Sequence, residues 1–184
     1  MYIQTLAFSL KTACLSLNPI ENILLPGSSR VWLFGAQRTL TDAEAVSIQG
    51  QMVDFVSGWQ AHGKGLTADF CLLHRCILIV AVDESKEAPS GCSIDKVFHL
   101  LQSQKGKFDL DFFQRTLVWI LKGDDICILN KSEIQVGLDS GEIDSNTSSI
   151  NMLASNLGDL KKGGLALPLA DSWIAPKLKF THEG

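Results

Sequence analysis

Between residues 30 and 121 the chain alternates short apolar runs with amphipathic stretches. Residues 30–36 (Arg-Val-Trp-Leu-Phe-Gly-Ala) are bulky on both alternating sets of positions and read as a strand. Thr41 and Glu44 have the spacing of a capping box. Ile48, Met52, Phe55 and Trp59 follow at intervals of four, three and four, which is one face of a helix. His62-Gly63-Lys64-Gly65 is expected to end that helix. Residues 66–74 alternate loosely, and 76–82 form a continuous apolar run suited to a central strand. Only Arg75 and its neighbours separate the two, so a tight hairpin is predicted. Ser93 then caps a second helix, with Ile94, Val97, Phe98 and Leu101 on one face and Gly106 closing it. Residues 110–114 are expected to add a helical turn. Residues 116–121 and 126–129 are strands joined through Lys122-Gly123-Asp124-Asp125. Ser132 starts a short helix through Leu138, ended by Gly141. Residues 144–149 read as polar loop and 150–153 as a short apolar segment. An irregular tail carries Trp173.

The order from residue 31 to 121 is β-α-β-β-α-β. This predicts an α+β fold with a ferredoxin-like core, in which four strands form one antiparallel sheet and both helices lie on one face. The strand at 126–129 is an extra hairpin strand, and the remainder is a C-terminal helical or irregular extension. The free sheet face then needs a cover, either the C-terminal third or a second copy in a homodimer. Residues 1–25 are expected to be an N-terminal arm or extension, and residues 26–184 a single α+β domain. The arm holds only Lys11 as a positive charge, set inside its apolar patches, which does not fit a signal peptide.

A length of 184 residues suits one well-cored domain and is short for two. With 46% hydrophobic and 20% charged residues, the composition is that of a globular chain rather than a disordered one. A net charge of −4 with scattered Lys and Arg speaks against a nucleic-acid partner. The acidic stretch 124–144 reads as a solvated face. No apolar run reaches the length of a membrane span. The cysteines Cys14, Cys71, Cys76, Cys92 and Cys127 are odd in number and contain no C-x-x-C pair, so a reducing cytoplasmic setting without disulfides is expected.

Candidate chemistry concentrates at Ser90-Gly91-Cys92-Ser93-Ile94-Asp95-Lys96, where the second helix begins. Unpaired amides and the helix dipole favour an anion or a thiolate there. Cys92 is the candidate nucleophile, or merely a small residue in a cap loop; Asp95 in the first turn opposes a thiolate. His62 is the candidate base. In the expected sheet, the strand after His62 begins where the strand ending in Asp83-Glu84 finishes, so His62, Asp83, Glu84 and Cys92 can share one rim. Asp83, Glu84, Ser90, Gly91, Ser93, Asp95 and Lys96 are the candidate ligand-binding residues, for a small-molecule or anionic ligand. No metal-ligand spacing and no cofactor fingerprint is present. Neither a P-loop nor a G-x-G-x-x-G following a strand occurs.

The segments Arg30-Val31-Trp32, Trp59-Gln60-Ala61-His62-Gly63, Val82-Asp83-Glu84-Ser85, the Ser90–Lys96 run and Asp171-Ser172-Trp173 resemble a small uncharacterised bacterial family, over roughly residues 26–173. Members of that family often carry the label ABC transporter ATPase. The label implies a P-loop and a Walker-type strand, and this chain has neither. The family has no settled activity, so the resemblance assigns no residue a role. Three functions stay open: a cytoplasmic module binding a small ligand or a protein partner, a thiol enzyme or redox sensor using Cys92 with His62, and a structural or regulatory protein without a pocket.

Overall fold

The computed structural model describes residues 19–123 and 125–180. Cys14, Asp124 and the arm up to residue 18 lie outside them. The chain is α+β with antiparallel sheets: β1 (Arg30–Gly35), α1 (Asp42–Ser57), β2 (Gln60–Ala61), β3 (Lys64–Gly65), β4 (Thr67–Leu73), β5 (Ile77–Asp83), α2 (Gly91–Phe108), β6 (Leu117–Lys122), β7 (Asp125–Asn130), α3 (Lys131–Ser140), β8 (Ser148–Ile150) and β9 (Ala166–Pro168).

The first sheet has the order β1-β5-β4. Strand β5 is its centre, and Ile77 through Val82 are all fully buried. Side chains alternate across a strand, so the run divides between two cores. Leu78, Val80 and Val82 pack under α1 and α2 with Ile48, Met52, Val97 and Leu101. Ile77, Ile79 and Ala81 face Trp119, Ile150, Leu157 and Leu160 on the other side. The β4–β5 connection is the tight hairpin expected: His74 and Arg75 both take left-handed φ (46° and 53°), and the Cys76 N–H donates to Leu73 O at 3.0 Å.

The fourth strand of the expected ferredoxin-like sheet is elsewhere. Strand β6 belongs to a second sheet of order β7-β6-β8-β9. That sheet stacks on the first instead of extending it. Leu117, Trp119 and Leu121 point toward the first sheet, while Val118 and Ile120 point outward to Ile134, Leu138 and Leu169. The physical reason lies at Gly35: with no side chain there, the Trp119 ring seats directly on β1, and its indole N–H donates to Ala36 O at 3.1 Å. The layers are therefore helices, sheet, sheet, then α3 with the C-terminal segment. The chain covers its own free sheet face. Residues 19–25 of the expected arm contribute Ile20 and Ile23, both buried, to the inter-sheet core.

Several local boundaries move. Helix α1 stops at Ser57, so Trp59 packs in the core beyond the helix rather than on its stripe. His62 is not a helix end. It sits with Gly63 in the turn of the β2–β3 hairpin, at φ 51° and 79°. Ser90, not Ser93, caps α2: its side chain accepts the Ser93 N–H at 3.2 Å. Gly106 lies inside α2, which runs to Phe108 and ends on Asp109 in a left-handed conformation (φ 51°). Residues 110–114 form no helical turn. Asn130 caps α3, and Gly141 (φ 75°) ends it as expected. Residues 148–150, read as the end of a loop and the start of an apolar segment, form β8. Among the described residues no helix is long and apolar enough to cross a membrane.

Candidate functional site

Structural contacts tie together the elements that carry the expected rim residues, and none of them joins His62, Asp83, Glu84 and Cys92 to one another. Antiparallel pairing sets Thr67 opposite Asp83, so β4 begins where β5 ends. The Trp59 indole N–H donates to Ser93 O at 2.8 Å, tying the hairpin approach to the first turn of α2. Lys64 pairs with Glu87 at 3.0 Å across the same rim. The polar groups there are largely spent on local structure. Ser90 caps the helix, and the buried Ser93 hydroxyl donates back to Ser90 O at 2.7 Å. Asp83 accepts the Ser85 N–H at 3.0 Å, and this hydrogen bond holds its carboxyl below the usual range. Glu84 faces Arg30 at 3.6 Å. Gly91, Cys92, Asp95, Lys96 and His62 are exposed. Among the described residues no hydrogen bond joins Cys92 to His62, and no group of three His, Cys, Asp or Glu side chains could hold a metal ion. Burial pushes the Cys71 and Cys76 thiols up to about 12, which leaves them protonated and inert.

A concave feature lies elsewhere, along the outer edge of β1. The pairing parity of β1 defines it. The Ala36 N–H donates to Cys76 O at 2.7 Å, so the even positions of β1 bond to β5. The odd positions point outward. At one end of this edge Val31 N–H donates to Ser155 O (3.0 Å) and Leu157 N–H to Ser29 O (2.9 Å). At the other end Gln37 N–H donates to Asp111 O (3.0 Å). Between these closed ends the main-chain groups of Leu33 and Gly35 have no partner among the described residues. Gly35 is nonetheless buried. A buried main-chain donor without a partner is rare and calls for an explanation.

A cleft of about 410 Å³ opens along this gap. On the helix side it is walled by a cluster of phenylalanines: Phe34 meets Phe98 edge-on at 5.4 Å and Phe113 at 6.2 Å, and Phe98 stacks on Phe113 at 5.5 Å. Trp119 and Trp173 line the other side, and Arg115 is the one charged residue in the lining. None of these residues was singled out as a site from the sequence, because they are spread from position 34 to 173. One signal was available. Gly35 interrupts a run of bulky strand residues, and a strand glycine marks a close approach by another group.

No known protein family, curated protein or solved structure shows significant similarity to this chain.

Proposed function

We propose that the protein is a binding module whose receptor is the β1 cleft, and that the cleft takes an extended, apolar polypeptide segment by strand addition. The observation that carries this is the gap in the β1 edge, where Leu33 and Gly35 have no main-chain partner among the described residues between closed ends. An unpaired strand edge is a template for another chain: main-chain bonds supply affinity and flanking pockets read alternate side chains. The gap from Val31 to Gln37 spans about 20 Å of strand, room for roughly five residues. In a ferredoxin-like arrangement of the β-α-β-β-α-β order the last strand would lie beside β1, and an added strand would take that place, which β6 leaves open. Thiol chemistry draws less support, since Cys92 is exposed and has no hydrogen bond to His62.

A second reading is an apolar small molecule, favoured by a cleft volume within the usual range for such sites. Leu33→Pro separates the two. The substitution removes an outward N–H and leaves the β5 hydrogen bonds intact, because Leu33 lies opposite Ile79 as a non-hydrogen-bonded pair. Displayed hexapeptides selected on the full chain should be enriched in alternating apolar residues. They should bind Leu33→Pro at least tenfold more weakly, while the dye anilinonaphthalene sulfonate binds both proteins alike. Three of the four tryptophans line the cleft, so intrinsic fluorescence reports occupancy. Slowed exchange of the Leu33 amide on peptide binding is an independent readout. Equal peptide binding by both proteins, or an unchanged Leu33 amide in the complex, overturns strand addition.

A further inference from the structure

The two main sheets end in β1, β4, β7 and β9, and three of these edges are blunted. Phe70 of β4 lies opposite Val80, whose main-chain groups bond to β1, so the Phe70 N–H points outward. The carboxylate of the neighbouring Asp69 accepts it at 2.8 Å. Strand β9 is three residues long and ends in Pro168. The β1 edge is closed at both ends. Strand β7 has none of these devices. It runs for six residues with no proline, and no charge lies between Asp125 and its end at Asn130. Long apolar edges invite another chain, and proteins avoid leaving them bare.

The last residue pair of β7 sets its pairing parity. Leu117 and Asn130 lie opposite each other, but the Leu117 N–H donates to Gln114 O (3.4 Å) and the Asn130 N–H to Glu133 Oε2 (2.7 Å). That pair is therefore non-hydrogen-bonded, and the ladder bonds to β6 fall on Leu129, Cys127 and Asp125. The N–H and C=O groups of Ile126 and Ile128 point away from β6 and have no partner among the described residues. The side chains from Ile126 to Leu129 are only half-buried. Ile126 and Ile128 face the inter-sheet core, and Cys127 and Leu129 face the core under α3. A strand added here covers apolar surface on both faces.

We propose that this edge pairs with the same edge of a second copy of the chain, across a two-fold axis at Cys127. In that antiparallel register Ile126 of each copy lies opposite Ile128 of the other, and both pairs exchange their two bonds, so every open group is satisfied. Setting Ile128 opposite itself would instead pair Ile126 with Asn130, whose N–H is already given to Glu133. Charge fits the favoured register. Asp125 lies opposite Leu129 of the other copy, and one alternate position beyond is Lys131, where α3 begins. Asp125 and Lys131 are both exposed and have no ion pair among the described residues. A diagonal neighbour of this kind is within reach of a long side chain, and the two-fold axis makes the match twice. The contact is confined to one strand edge and its flanks, so the dimer is of the weak, concentration-dependent class. It leaves the β1 cleft free and does not depend on what the cleft binds.

The test uses the full chain carrying Cys14→Ser and Cys92→Ser, with Cys71 and Cys76 protected by burial. Opposite Cβ atoms of a non-hydrogen-bonded pair lie about 4.5–5.5 Å apart, close enough for a disulfide after small adjustment. Copper-phenanthroline in air should therefore give a covalent dimer through Cys127. Adding Cys127→Ser and Leu129→Cys should abolish it, since those thiols would stand about 13 Å apart along the strands. Without oxidant, sedimentation equilibrium should show reversible dimerisation. Cys127→Lys and Cys127→Asp, each checked for an unchanged circular dichroism spectrum, should each raise the dimer Kd at least about tenfold by setting like charges face to face. An equimolar mixture of the two should dimerise again. A chain that stays monomeric to about 1 mM overturns the proposal. So does cross-linking that is equal at positions 127 and 129, or a dimer that neither charged variant weakens. If the charged variants fail to fold, the comparison of positions 127 and 129 decides alone.

Discussion

Gly35→Ala is the most direct probe of how the two sheets are joined. The new methyl group would lie 2.1 Å from one Trp119 ring carbon and 2.4 and 2.5 Å from two others. The backbone at Gly35 is ordinary strand, so the cost is steric and not conformational. Overpacking of this kind costs about 1–3 kcal/mol. Here the ring cannot retreat freely, because its N–H is bonded to Ala36 O. Breaking that buried bond adds about 1 kcal/mol. A loss of about 3 kcal/mol is expected, or a Tm lowered by roughly 6–12 °C for a chain of this size. The assay is urea unfolding, with the m-value watched to confirm a two-state transition. Trp119→Leu should be costly alone, through lost burial and an orphaned carbonyl. In that background Gly35→Ala should cost at least about 1.5 kcal/mol less than in the parent, since the colliding ring is gone. Gly35→Ala within about 0.5 kcal/mol of the parent, or strict additivity with Trp119→Leu, would refute the contact as the junction of the sheets.

Two further outcomes follow from charge and burial. Glu44 is held down to about 2 by its hydrogen bonds to the Arg38 guanidinium (2.8 and 2.9 Å) and by the Thr41 N–H. Its carboxylate stabilises the fold above its unfolded pKa near 4.3, and that contribution is lost as pH falls toward 2. Asp83 and Asp111 shift in the same direction. Thermal stability should therefore fall between about pH 4.5 and 2, and Glu44→Gln should flatten that decline; an unchanged slope would remove Glu44 from the account. Among the four described cysteines, iodoacetamide at pH 8 should label exposed Cys92 within minutes. Cys71 and Cys76 should label only as fast as the protein unfolds, and labelling of either in step with Cys92 would contradict their burial.

Local chemistry was readable from the chain. The Thr41–Glu44 box forms as the spacing predicts, Gly141 ends α3, and the 76–82 run is the buried central strand. The two-residue turn at His74-Arg75 follows from the short gap between two strand-like runs. Sheet membership was not readable. Residues 117–121 alternate in the same way whether they lie beside β1 or over it, and the choice is made by a contact between Gly35 and Trp119, 84 positions apart. Serine placement also escaped. Ser90 and Ser93 both suit a helix start, and only the main-chain path after Pro89 decides which one caps. The β1 cleft depends on which main-chain groups are left over once the sheets are built, and no residue type encodes that.

The division of the β5 side chains between two cores has a consequence for synthesis. The helical cover of the first sheet is complete once residue 108 has been made, whereas the opposite cover comes from Trp119, Ile150, Leu157 and Leu160. A nascent chain that has folded the first sheet and its helices therefore leaves Val31, Ile77, Ile79 and Ala81 without most of their cover until some fifty more residues emerge. At about 5–20 residues per second, that exposure lasts several seconds. Chaperone capture of ribosome-bound chains should concentrate in this interval, and stalling within it should send the product into aggregates.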